Sequence, residues 1–342
     1  MNLASVRAGL LFMVMTLLVL SGCQASTVNG NGQEVHTIVV GSPIAETHPG
    51  HEAFKRFEQL VEERSEGRLD IKIYGNGVLG DDRELTESVQ RGTIHMTVSS
   101  TSPVANFDPS FYIFDLPFLL PDRETAYKIL DGDIGQRLLH NLESQNIVGL
   151  GYWENGFRQI TTSNKPIDSA EDLQGIKIRT MENQLHIAAW REFGANPTPM
   201  SFGELFTGLQ QGTVDGQENP LALIETNKFY EVQEHLILSN HIYTPFVVMM
   251  NKEFHDELPK DLQTIINESM QEAKDYQRDM MIDQDERILQ IVTEDGVQVS
   301  ELPEEEKEKL RELSEPVYES GRKMVENDQL VDEVIAEIDK LQ

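Results

Sequence analysis

Asn196 to Leu221 reads NPTPMSFGELFTGLQQGTVDGQENPL. Within it, Ser201-Phe202-Gly203-Glu204 has the form of a capping box, the serine and the glutamate each satisfying an orphan backbone donor. The helix so opened stops at Gly212, and a strand is expected over Thr213 to Asp215. Working outward, Ser169 opens a short helix with Asp172 three residues on, Gly175 ends it, and Ile176 to Arg179 reads as a strand. A helix from Gln184 to Phe193 stops at Gly194. The first half of the chain keeps the same rhythm. Strand Thr37 to Val40 leads to a helix over His51 to Ser65, with Phe54, Phe57 and Val61 on one face. Strand Leu69 to Tyr74, helix Asp82 to Gln90 and strand Ile94 to Val98 follow, with Gly92 between the last two. Strands alternating with helices predict an α/β fold with parallel strands and helices on the sheet faces.

A chain of 342 residues fits two domains of about 150 residues each. Hydrophobic residues at 39% and charged residues at 25% give a globular balance. The charge is lopsided: 28 basic against 58 acidic side chains, a net −30. A field of that sign repels nucleic acid and anionic lipid heads, so no nucleic-acid partner is expected. It also repels an anionic solute, so a carboxylate ligand has to be met by locally placed Arg or Lys.

Cys23 is the single cysteine, so no intramolecular disulfide holds the fold. It follows an apolar run, Leu10 to Leu20, that is preceded by Arg7 and is too short to span a bilayer. Residues 1–22 therefore read as a signal peptide. Leu20-Ser21-Gly22-Cys23 resembles a bacterial lipobox, with Cys23 lipidated as the mature N-terminus and residues 23–34 forming a flexible tether. Near the other end, the apolar period of Leu262, Ile265, Ile266, Met270, Ala273 and Met280 predicts one helix from Pro259 to about Thr293. At 1.5 Å per residue it is roughly 50 Å long, enough to cross both domains. The acidic segment from Glu301 onward reads as an exposed, charged helical pair.

Motifs for chemistry are sparse. Gly75, Gly77 and Gly80 match a dinucleotide fingerprint formally, but the strand that follows ends in Ser99-Ser100 with no acid for a ribose, and a turn is the better reading. His48, His51 and Glu52 lack zincin order, and Pro49-Gly50 keeps the imidazoles off one helical face. Asp131-Gly132-Asp133 lacks the twelfth-position acid of a calcium loop, that position being Leu142. No nucleophile set stands out, so neither an enzyme nor a cofactor is expected. Two arginines stay unexplained: Arg179 at the end of a short strand, and Arg158 in Asn155-Gly156-Phe157-Arg158. The carboxyl ends of strands in open α/β sheets face the ligand crevice, and a guanidinium fork matches a carboxylate.

The stretch Asn196 to Leu221 resembles the signature region of solute-binding proteins of tripartite ATP-independent periplasmic (TRAP) transporters, in the C4-dicarboxylate and sialic-acid-binding family. NGFRQITTSNKPI (Asn155 to Ile167), LQGIKIR (Leu173 to Arg179), NHIYTPF (Asn240 to Phe246), LGDDREL (Leu79 to Leu85) and KFYEVQ (Lys228 to Gln233) are similar to further family blocks, and the likeness runs from about Val35 to Leu330. The resemblance implies two α/β domains with a ligand cleft between them, linked by crossing strands and a long domain-spanning helix. It puts residues 35–155 plus 244–283 in the first domain and 156–243 plus 284–342 in the second. It implies that Arg179 pairs with a ligand carboxylate, with Arg158 a second contact, Asn219 pointing into the site and Phe202 packing on the ligand. The His48 loop and Ser100 fall where the other domain contributes. Sialic-acid binders carry glutamate at the Ser100 position and asparagine at Glu182, which turns the reading from sialic acid towards a C4-dicarboxylate, a sugar acid or another small oxo- or hydroxy-acid. The implied partners are a small and a large membrane subunit. A sensory module presenting the acid to a receptor, or an enzyme on the same frame, are the other readings.

Overall fold

The computed structural model of the chain describes Val28, residues 30–325 and residues 329–342. The expected signal peptide, residues 1–22, and the expected lipidation site Cys23 lie outside the described residues. Ten strands are present among them: β1 (His36–Gly41), β2 (Leu69–Tyr74), β3 (Met96–Ser100), β4 (Ile147–Thr162), β5 (Lys177–Thr180), β6 (Asn196–Pro199), β7 (Gly216–Pro220), β8 (His235–Leu238), β9 (Tyr243–Asn251) and β10 (Gln298–Glu301). They form one path, β2-β1-β3-β9-β4-β7-β5-β6, with β8 paired to β4 and β10 to β8.

The path is two sheets sharing a strand. β4 runs for 16 residues. Its first part pairs antiparallel with β9, from Ile147 opposite Asn251 to Phe157 opposite Tyr243. Its last part pairs with β7 on one side and β8 on the other. The β9 ladder is interrupted by bulges at Gly149/Gly151 and Glu154/Gly156. Gly156 has φ +119°, a conformation that costs a side chain dearly and glycine little. The first lobe is therefore β2-β1-β3-β9 with the start of β4, and the second is the end of β4 with β7, β5, β6, β8 and β10.

Each lobe has its own apolar packing. Helix Pro49–Arg64 lays Phe54, Phe57 and Val61 against β1, β2 and the buried Leu262, Ile266 and Met270 of helix Lys260–Ile282. Fully burying a side chain of this size stabilises by about 1.5–3 kcal/mol. The second lobe buries Leu205, Leu209, Val214, Leu221, Ile288 and Val292 together. A third cluster joins Phe111 and Leu116 of the first lobe to Leu185 and Trp190 of the second.

Several expectations are corrected. The expected helix from Pro259 to Thr293 is two helices, Lys260–Ile282 and Asp285–Glu294. Arg123 pins the break: it donates to Asp285 at 2.6 Å and to Glu154 of β4 at 3.0 Å. The long helix packs mainly on the first lobe and reaches the second through Met281, and the shorter one packs on helix Leu221–Thr226 of the second. The acidic segment is three helices, Glu304–Leu313, Glu315–Met324 and Leu330–Leu341. It is not simply exposed, because Leu310, Val317, Val331 and Val334 are buried in the cluster that joins the lobes. Ser201 does not cap a helix. Its hydroxyl bonds the Glu204 carboxylate at 2.8 Å, and the helix begins at Leu205. The strand expected at Thr213 to Asp215 lies at Gly216–Pro220.

Candidate functional site

The carboxyl ends of β1, β3, β5 and β7 point towards the junction of the lobes, where β4 crosses between them. Pro43, Ile44, Asp82, Ser100, Asn155, Arg158, Arg179, Met181, Phe202, Asn219, Leu223 and Phe246 line a small cavity there. Five of the six ligand-binding residues expected from sequence, Arg158, Arg179, Asn219, Phe202 and Ser100, are thus brought together. Arg158 is 0% and Arg179 2% exposed.

His48 is the correction. It does not line the cavity but caps helix Pro49–Arg64, its Nδ1 accepting the Gly50 N–H at 3.0 Å. Its ring packs edge-on against Phe246, and burial pushes its pKa down to about 3, so it supports the cavity wall as a neutral group.

The two arginines differ in what neutralises them. Arg158 donates from Nε and Nη2 to the Glu218 carboxylate and from Nη2 to Asn219 Oδ1 at 3.0 Å. Burial alone would raise the Glu218 carboxyl, but Arg158, helped by His241 at 3.2 Å and His186 at 3.8 Å, holds it well below the usual carboxylate range. Arg158 thus has its counterion. Arg179 donates from Nε to the Met200 carbonyl oxygen at 3.0 Å, and its Nη1 has no partner among the described residues. Burial and the neighbouring Arg158 push its pKa down to about 10, against the pull of Glu218, Asp82 and Asp81. It is still a cation at neutral pH. Desolvating a cation without a bonded anion is costly, and an arriving carboxylate removes that cost.

Asn219 plays a supporting part. Its amide oxygen takes the Arg158 bond and its amide nitrogen donates to Gln217. The Ser100 hydroxyl, Arg158 Nη1 and both amide atoms of Asn155 are buried with no partner among the described residues. Asp82 and Asn155 were not picked out as site residues from sequence, although each lies in a stretch with family likeness, LGDDREL and NGFRQ. Asp82 is held by the Ser100 N–H at 2.8 Å and the Ser99 hydroxyl at 3.0 Å, and burial raises its pKa in spite of these bonds. At the cleft mouth the Gly203 N–H reaches the Asp81 carboxylate at 3.2 Å, tying one lobe to the other. Among the described residues no group of three or more His, Cys, Asp or Glu side chains is placed to hold a metal ion.

Residues 40–326 match the sequence profile of the bacterial extracellular solute-binding protein family 7. The chain belongs to this family. The 2,3-diketo-L-gulonate-binding periplasmic protein of Escherichia coli is 39% identical over 259 residues, 76% of this chain and 79% of that one. The C4-dicarboxylate-binding periplasmic protein of Rhodobacter capsulatus is 35% identical over 281 residues, 81% and 83% of the two chains. Among solved structures, the sugar acid binding protein of Advenella mimigardefordensis in complex with galactonate superposes with a TM-score of 0.88 at 40% identity, covering 90% of this chain and 99% of that one. The two-lobe α/β architecture is that of the TRAP solute-binding proteins, and these are binding proteins rather than enzymes.

Proposed function

We propose that this family 7 protein captures a small organic acid outside the cytoplasm, clamps its carboxylate with Arg179 and Arg158, and delivers it to the membrane subunits of a TRAP transporter. One observation carries the reading: Arg179 lines the cavity as a buried guanidinium, 2% exposed, with a carbonyl oxygen as its hydrogen-bond acceptor and Nη1 without a partner among the described residues. The relatives that bind a diketogulonate, a C4-dicarboxylate and galactonate support an organic acid as the ligand class. Residues 35–155 plus 244–283 and residues 156–243 plus 284–342 are the two bodies that close on it. Binding needs no chemistry on the ligand.

A thermal-shift screen of organic acids, neutral polyols and amines tests the ligand class. At one hundred times Kd a ligand stabilises the folded state by about 2.7 kcal/mol. One or more acids should therefore shift the transition clearly, while polyols and amines do not. A neutral polyol or an amine as the strongest ligand would refute the clamp.

Delivery to a permease is helped by tethering, and Leu20-Ser21-Gly22-Cys23 supports a lipid on Cys23. Cys23→Ala is expected to leave the protein unprocessed or to release it from the membrane fraction. Unchanged fractionation together with an unchanged mature N-terminal mass would count against the anchor.

A further inference from the structure

We infer that the cavity is built for a monocarboxylate carrying hydroxyl groups, and that Asp82 is the side chain that turns away a second carboxylate. This deepens the organic-acid reading above and rests on it.

The charges around the cavity come first. Two cations, Arg158 and Arg179, and one carboxylate, Asp82, line it, and Glu218 lies behind Arg158 as its ion-pair partner. Glu218 is spent on Arg158. Asp82 sits on the first-lobe wall, within electrostatic reach of Arg179. With Asp82 ionised, these four side chains sum to zero, so one ligand carboxylate leaves the closed site at −1 and two leave it at −2. The second negative group would lie where the attraction of one arginine is already used and Asp82 repels it. In a space shielded from water that repulsion is weakly screened.

Hydrogen bonding points the same way. A carboxylate only accepts, whereas a hydroxyl both donates and accepts. Asn155 is 1% exposed, and both its amide oxygen and its amide nitrogen lack partners among the described residues. The Ser100 hydroxyl, 4% exposed, is also free. Asp82 offers acceptor capacity beside it, its Oδ1 fixed by Ser99 and Ser100. The Asn155 carbonyl and the Asp82 carboxylate need donors that a second carboxylate does not have and a chain of hydroxyls does. Arg179 Nη1 and Arg158 Nη1 supply donors for the single carboxylate. A polyhydroxy monocarboxylic acid satisfies all of these groups at once, and a dicarboxylate sets acceptor against acceptor.

Calorimetry with two matched pairs isolates the second charge: D-galactonate against galactarate, and D-erythronate against meso-tartrate. In each pair the wild-type chain should bind the monocarboxylate at least about tenfold more tightly. Asp82→Asn should bring each pair to within about threefold, chiefly by strengthening the diacid, because only the repulsion is removed. Asp82→Ser, which also removes the charge, should do the same and stands in if the asparagine variant misfolds. A diacid that binds the wild type as well as its partner, a ratio unmoved in the substituted chains, or no binding of any of the four would overturn the inference. Arg179→Ala separates the two readings. If it abolishes binding while Asp82→Asn leaves the ratios alone, the clamp stands and the selectivity falls. If it binds normally while Asp82→Asn shifts the ratios, the reverse holds.

Discussion

Replacing Arg179 by alanine is expected to weaken binding of the captured acid by about a hundredfold to a few-thousandfold, the 3–5 kcal/mol lost when one partner of a buried ion pair is removed. The size follows from how little else serves the ligand's charge. Arg158 is already paired with Glu218, so its Nη1 adds a donor but little unspent positive charge. Asn219 has given its amide to Arg158 and Gln217. Arg179 alone brings a desolvated cation bonded to nothing more than a carbonyl oxygen. Arg179→Lys should recover only part of the loss, since a point charge does not reproduce the planar fork. The variant should still fold: the substitution removes a buried charge at the end of β5 and leaves no anion bonded to it stranded. Calorimetry on the folded variant decides the matter, and affinity within threefold of wild type would show that the carboxylate is held elsewhere.

Glu218→Gln acts on stability instead. It leaves Arg158 buried with no carboxylate beside it and removes the negative charge next to His241 and His186. Breaking a buried pair from one side costs about 3–5 kcal/mol, to be read from urea or thermal unfolding without ligand. The effect depends on pH with a definite sign. The folded carboxyl is held below its unfolded value near 4.5, so its contribution is complete above that value. It is lost as pH falls through the folded pKa. The gap between wild type and variant should be full at neutral pH and shrink in acid. A variant as stable as wild type at pH 7 would mean that Arg158 is neutralised some other way.

How far these features could be read from the chain depends on what each element spends its residues on. Strand Leu69–Tyr74 and helix Asp82–Gln90 were legible to the residue, because both bury one apolar face and alternation or a 3.6-residue period shows it. β7 was not. Gly216-Gln217-Glu218-Asn219-Pro220 is buried throughout and carries no large aliphatic side chain, because this strand supplies the site's polar network. Its place beside β4 needs Gly216, where a Cβ would lie 2.4 Å from the Thr161 carbonyl oxygen. The nearby Val214 drew the expected strand too early. The capping box failed for a related reason. The backbone from Met200 to Gly203 is taken up with Thr180, Arg179 and Asp81, so helix formation waits until Leu205. Arg158 and Arg179 could be located in the sequence, but their unequal neutralisation could not, because Glu218 meets Arg158 only when β7 lies against β4. The break at Asp283 carries no glycine or proline to announce it, and Arg123, far away in sequence, fixes it.

The bulge at Gly156 has a mechanical meaning. Asn155 and Arg158 both face the cavity, and the two residues between them include the one at which β4 leaves its ladder with β9. A rotation of one lobe against the other about this strand changes the spacing of these two contacts directly, with no intervening relay. A solute long enough to engage both amide and guanidinium therefore acts as a gauge block. It favours the lobe angle at which both are in reach, and by that difference in affinity it shifts the balance of open and closed shapes. A solute that engages only one exerts no such leverage, so occupancy and closure become separable.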